Sequence, residues 1–194
     1  MNQNDIIAFF DRMAPQWDAD MVRSDKIIAT ILDNAGVRPG KRVLDVACGT
    51  GVLFPDYLAR NVESLTAIDI SPEMVRIARE KCPQATVLCG DVQTVPLPGP
   101  FDCIIVYNAF PHFPEPEKLI AVLSSYLAPG GSLTVAHGMS RAAIDARHHG
   151  SAAKVSLGLM HEDDLAKIMG KYLTVTHKIS DDSMYQVTAV LPAE

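Results

Sequence analysis

Asp45, Asp69, Asp91 and Asn108 each stand at or beside the end of an apolar run of strand length, and a glycine turn, Gly49-Thr50-Gly51, follows the first of them. Polar residues in such places have a definable chemistry. A carboxylate at Asp69 can accept from both hydroxyls of a ribose diol, and one at Asp91 from an exocyclic amine such as that of adenine. Ile70 and Val92, each next to one of these acids, supply apolar surfaces able to enclose a ring. Gly49 and Gly51 let the backbone come close to a ligand. Together these residues describe a nucleoside site.

Two cofactors compete for it. A dinucleotide needs a small residue in the last position of G-x-G-x-x-G, so that its pyrophosphate can lie on a helix N-terminus. Here that position is Phe54. A pyrophosphate would also be repelled by Asp45, whose carboxylate suits an ammonium group instead. S-adenosylmethionine has an adenosine, an ammonium and no phosphate, so it fits both departures.

Further candidates lie beyond the later strands. His112 follows the fourth predicted strand and His137 the fifth, and both are candidates for the catalytic role of accepting a proton from a substrate. Trp17, the chain's only tryptophan, either anchors the N-terminal segment or borders the substrate. Arg141 and Arg147 point to an acidic acceptor or are simply solvated. His148 and His149 are adjacent, so on a helix they diverge by about 100°, which makes a metal site shared by the two awkward and leaves a zinc or iron site from His137, one of them and His161 as the conceivable arrangement. No metal is expected.

Placing these residues around one ligand takes a parallel sheet, because ligands of doubly wound sheets collect beyond the carboxyl ends of the strands. Apolar runs at residues 42–46, 64–68, 85–89, 101–108 and 132–136 alternate with helical patterns in the manner of a βαβ wind. Residues 101–108 are almost continuously apolar and read as a central strand. Helices are predicted over 52–60, from an N-cap at Ser71 with Pro72 in the first position, over 116–127 and over 161–169. Pro129-Gly130-Gly131 marks a turn into the fifth strand. Two strands, 173–179 and 185–191, follow as an antiparallel hairpin. Ahead of the sheet lie helices at 4–13 and 24–36, separated at Ala14-Pro15.

Composition narrows the class. With 194 residues and no linker the chain reads as one domain: a helical cover over 1–36, and a core over 37–194 with a variable cover at about 138–160. A net charge of −6 argues against a nucleic-acid partner. No segment approaches the roughly 20 apolar residues of a membrane span, and no leader is evident at Met1. Cys48, Cys82, Cys89 and Cys103 form no CxxC pair and read as packing residues in a reducing, cytoplasmic setting. Oligomeric state leaves no mark in the sequence.

The segments VLDVACGTG, AIDIS, GDV, FDCIIVYNAF and LAPGGSL, over roughly residues 9–135, resemble the class I S-adenosylmethionine-dependent methyltransferases. The family's first motif reads acid-x-Gly-x-Gly-x-Gly, and this chain departs from it at Ala47. The resemblance implies an α/β, doubly wound, Rossmann-like seven-stranded sheet of order 3-2-1-4-5-7-6 with strand 7 antiparallel. It implies that Asp45 and the backbone near Ala47, Gly49 and Gly51 hold the methionine portion of the cofactor. Asp69 would take the ribose, Ile70 and Val92 the adenine faces, and Asp91 the adenine amino group, with Asn108 bordering methionine and substrate. FDRMAPQWD resembles the segment that folds over the cofactor in small-molecule members. The expected activity is in-line methyl transfer to a small molecule. An S-adenosylmethionine-binding sensor or accessory module, and a nucleotide-dependent oxidoreductase, are the alternatives.

Overall fold

Strand β1 (Arg42–Val46) is buried from its second residue onward, as its apolar character requires of a strand with neighbours on both edges and helices on both faces. In the computed structural model, which describes residues 2–147 and 154–193, β1 pairs in parallel with β2 (Ser64–Asp69) and β4 (Phe101–Tyr107). With β3 (Thr86–Cys89), β5 (Leu127–His137), β6 (Thr174–Ser180) and β7 (Tyr185–Val190) they make one seven-stranded sheet of order 3-2-1-4-5-7-6. β7 runs antiparallel to both of its neighbours. This is the expected order. The direction of winding reverses between β1 and β4, so a cleft opens beyond their carboxyl ends.

Helices cover both faces. After α1 (Gln3–Met13), helices α2 (Asp25–Asn34), α3 (Phe54–Ala59) and α4 (Pro72–Lys81) bury Ile31, Tyr57 and Val75 against Val43 and Ile105. On the opposite face, α5 (Pro116–Ser125) and, beyond α6 (Arg141–Arg147), α7 (Glu162–Met169) bury Leu119, Leu165 and Met169 against Leu44 and Ile104. Successive β-strand residues thus feed opposite cores. Ser71 caps α4 by accepting from Met74 N at 3.2 Å, with Pro72 in the first position where its missing N–H costs nothing.

Several boundaries depart from the sequence reading, each for a local reason. The helix after the glycine turn begins at Phe54 rather than residue 52, because the preceding residues form tight turns closed by Gly51 N to Cys48 O and Phe54 N to Gly51 O. β5 begins at Leu127, five residues early by 132 − 127, and carries Pro129-Gly130-Gly131 within it where its register against β4 shifts. Gly130 N and Gly131 O bond Leu191, so the turn residues still join the sheet. Pro15 does not simply break the chain, but sits in a 3-10 turn, Ala14–Gln16, that delivers Trp17. Among the described residues no helix is long and apolar enough to cross a membrane. His148 and His149 lie outside the described residues, as does the side chain of Arg147, the last residue of α6.

Candidate functional site

The cleft beyond β1 and β4 holds a cavity of about 530 Å³, and Asp45, Ala47, Gly49, Asp69, Asp91 and Asn108 all line it. Parallel pairing explains their convergence: β2, β1 and β4 end at the same level, each delivering one polar residue. Ile70 and Val92 line the same cavity.

Asp45 is the least ordinary of these residues. It is 2% exposed, and its Oδ2 has no hydrogen-bond partner among the described residues. Burial raises its pKa well above the usual carboxylate range, and the nearby Asp69 adds to the effect. A buried carboxyl oxygen facing a cavity without a donor calls for a cation or a donor from the ligand. The ammonium group of S-adenosylmethionine meets that need.

Asp69 has a second task that the sequence did not reveal. It accepts from Gly49 N at 2.8 Å and from Ser71 N at 2.9 Å, and so ties the glycine turn to the start of α4. Burial raises its pKa, and the amides of Ser71 and Gly49 oppose that rise. A carboxylate offers about four lone-pair sites, so these bonds leave capacity for a ribose diol. Asp91 accepts from Gln93 N at 2.9 Å through Oδ1 and from Gln3 Nε2 at 3.1 Å through Oδ2. Asn108 adopts a left-handed φ of 53°, donates its N–H to Ala136 O at 2.9 Å, and accepts from Gly138 N at 3.0 Å. Asparagine is one of the few residues that tolerates this region.

The turn itself divides its labour. Ala47 takes φ 54°, a left-handed value, and Gly49 faces the cavity. Gly51 does not line it. A Cβ there would fall 2.6 Å from the Phe54 ring, so its missing side chain makes room for packing, not for ligand. Thr50, fully buried, donates to Asp18 Oδ1 at 2.6 Å, and Asp18 also pairs with Lys81. Neither Asp18 nor Thr50 was singled out from sequence; a hydroxyl inside a glycine turn was the only local sign.

Phe10, Met13, Trp17, His112, Phe113 and Met139 also line the cavity, and Trp17 Nε1 lies 3.5 Å from where a Cβ on Gly49 would stand. Phe10 meets Trp17 and His112 edge-on, with ring centroids 5.7 Å and 5.0 Å away. His112 Nδ1 lies 2.6 Å from Val155 O. A carbonyl only accepts, so Nδ1 carries the proton of this contact. His137 is placed differently. It is 1% exposed, lies edge-on to Tyr185 at 6.0 Å, and does not line the cavity. Its position opposite Tyr185 in the β5–β7 register carries it away from the cleft. Among the described residues the lining carries carboxyl groups from Asp20, Asp45, Asp69, Asp91 and Glu115 and no lysine or arginine. Arg141 is not among the residues that line the cavity.

Residues 43–131 match the family described as "Methyltransferase domain". A demethylmenaquinone methyltransferase of Renibacterium salmoninarum is 30% identical over 139 residues, which cover 69% of this chain and 58% of that protein. A ubiquinone biosynthesis O-methyltransferase of Xanthomonas campestris is 36% identical over 133 residues, covering 60% and 53%. The chain thus spans a little over half the length of these curated relatives. Among solved structures, the cyclase SpnF is similar with a TM-score of 0.80 at 16% identity, over 100% of this chain and 98% of that one. That likeness concerns the fold alone.

Proposed function

Because the chain belongs to the class I S-adenosylmethionine-dependent methyltransferases, we propose that it methylates a small, largely apolar acceptor by in-line displacement. The observation that carries this reading is the buried, unpartnered Asp45 oxygen at the mouth of a glycine turn, beside Asp69 on the neighbouring strand. Asp45 holds the cofactor's ammonium, Asp69 its ribose hydroxyls, Asp91 its adenine amino group, and Ile70 and Val92 the ring faces. Asn108 borders the methionine portion. The sulfonium supplies an already activated methyl group when bound, so the chain's main tasks are to align the nucleophile and exclude water.

Residues 1–36 act as the cover in this reading, and residues 37–194 as the core. Phe10, Met13 and Trp17 give the cavity apolar and aromatic lining from this cover. His112 Nε2 accepts the proton of an acceptor hydroxyl while the oxygen bonds the methyl carbon and the carbon–sulfur bond breaks, giving a methyl ether and S-adenosylhomocysteine. An uncharged phenolic or quinol ring suits a chamber with aromatic walls, acidic side chains and no described cation. The quinone-related names of both curated relatives support that class. Four free cysteines support a cytoplasmic setting. A net charge of −6 speaks against a nucleic-acid partner.

Calorimetry with S-adenosylhomocysteine and with NADH tests the cofactor, and absence of S-adenosylhomocysteine binding would overturn the reading. An acceptor screen with menadiol, catechols, simple phenols and aromatic amines, read by mass spectrometry as the gain of one methyl group, tests the reaction. Cofactor binding with no methylated product from any of these would favour the sensor alternative.

A further inference from the structure

Asp91 sits on the turn after β3, yet one of its oxygens is held from the far end of the chain by Gln3 Nε2. Gln3 opens α1, and this helix is pinned to the rim of the cofactor site. Asp11 Oδ1 accepts from Ser71 Oγ at 2.5 Å and from Glu73 N at 3.2 Å, and Ile6 is buried, lining the cavity together with Gln3. The carboxamide is therefore presented to the cavity by an anchored helix. Its orientation follows from its partner: a carboxylate oxygen accepts, so the amide nitrogen must face Asp91, and the amide oxygen is left as an acceptor.

The primary amine of adenine has two N–H groups to place. We propose that Gln3 is a cofactor-binding residue that reads the adenine edge. Asp91 Oδ2 accepts one proton of the 6-amino group, Gln3 Oε1 accepts the other, and the Gln3–Asp91 hydrogen bond fixes the amide in the required sense. A 6-oxo ring, which presents a carbonyl in place of the amine, meets two acceptors and loses both bonds. The inference rests on the assignment of Asp91 to the adenine amino group.

The test is calorimetry on the full chain with S-adenosylhomocysteine and its 6-oxo analogue, S-inosylhomocysteine. The wild type prefers the amino form. Gln3→Ala weakens S-adenosylhomocysteine about three- to tenfold and leaves S-inosylhomocysteine within about twofold, so the preference shrinks. A merely structural role for Gln3 would weaken both ligands alike and overturn the proposal, as would unchanged binding. Tighter binding in Gln3→Ala would also overturn it, by showing that the side chain only occupies Asp91 until cofactor arrives. Asp91→Asn separates the two levels of inference. If that variant loses the preference while Gln3→Ala keeps it, the Gln3 proposal falls and the Asp91 assignment stands; if Asp91→Asn keeps the full preference, both fall.

Discussion

The Phe54 ring occupies the space that a Cβ on Gly51 would need: two ring carbons would lie 2.6 Å from it, and Gly51 adopts φ +83°. Phe54 is 2% exposed and joins Tyr57 in the core beneath α2. Gly51→Ala therefore combines a left-handed alanine with an overpacked core, for an expected loss of about 2–4 kcal/mol in chemical denaturation. Because Gly51 is outside the cavity lining, the folded fraction should bind S-adenosylhomocysteine with nearly unchanged affinity. A large affinity loss in folded Gly51→Ala would restore the close-ligand role read from the sequence.

Ala47 should respond in the opposite sense. It holds a left-handed φ of 54° with a Cβ in place, which costs about 1–2 kcal/mol, whereas glycine there loses only about 0.4–1 kcal/mol through the freedom it gives the unfolded chain. Ala47→Gly is expected to gain about 0.5–1 kcal/mol. Urea titration of the pair measures it, and a destabilised variant would mean that the methyl group makes a packing contribution larger than its strain.

Asp69→Asn separates structure from ligand binding. The substitution keeps the volume but turns one oxygen into a donor, which would face either Gly49 N or Ser71 N across a bond now 2.8 or 2.9 Å long. One amide is left unsatisfied, so we expect a loss of about 1–3 kcal/mol together with at least about tenfold weaker S-adenosylhomocysteine binding. Unaltered affinity in a folded variant would remove the ribose assignment.

The sheet was legible because its signals are short in range. Apolar strands, Ser71-Pro72 and the final hairpin each declare themselves within a few residues, and parallel strands then bring Asp45, Asp69, Asp91 and Asn108 to one level without further information. What stayed hidden needed tertiary placement. The bonds from Asp18 to Thr50, Asp11 to Ser71 and Gln3 to Asp91 join a cover to turns far along the chain, and no periodicity encodes them. His112 and His137 looked equivalent as residues beyond strand ends. They diverge because a 3-10 turn, Phe110–His112, carries the first into the cleft, whereas β5 extends through the second and pairs it with Tyr185.

That divergence gives a kinetic expectation for His112. With Nδ1 committed to Val155 O, the base at Nε2 is the part of the ring that substitution removes. Once a phenolic acceptor is in hand, His112→Ala should lower kcat about 10²- to 10⁴-fold while leaving the S-adenosylhomocysteine Kd within about threefold. An acceptor supplied as a preformed phenolate at alkaline pH should recover much of the loss. Normal turnover in His112→Ala at neutral pH would eliminate the proton-accepting role.

Asp45 links pH, stability and cofactor affinity. Burial, and after it the Asp69 carboxyl group, raises its folded-state pKa well above the ordinary value. For an acid shifted upward, the stabilising contribution is complete below the unfolded pKa and is lost as pH rises through the folded pKa. Without cofactor, the wild type should therefore lose stability across that range, and Asp45→Asn, which cannot ionise, should not share the loss. An ammonium ligand acts in the other direction: it favours the carboxylate, so cofactor affinity rises with pH through the same range and binding releases a proton. Thermal melts between about pH 5 and pH 8 should show Asp45→Asn more stable than wild type at the upper end. Calorimetry should show S-adenosylhomocysteine bound about tenfold or more weakly by the variant, since a charge-assisted contact is lost. Parallel melting curves for the two proteins would remove Asp45 as the titrating group, and equal affinities would remove it as the ammonium's partner.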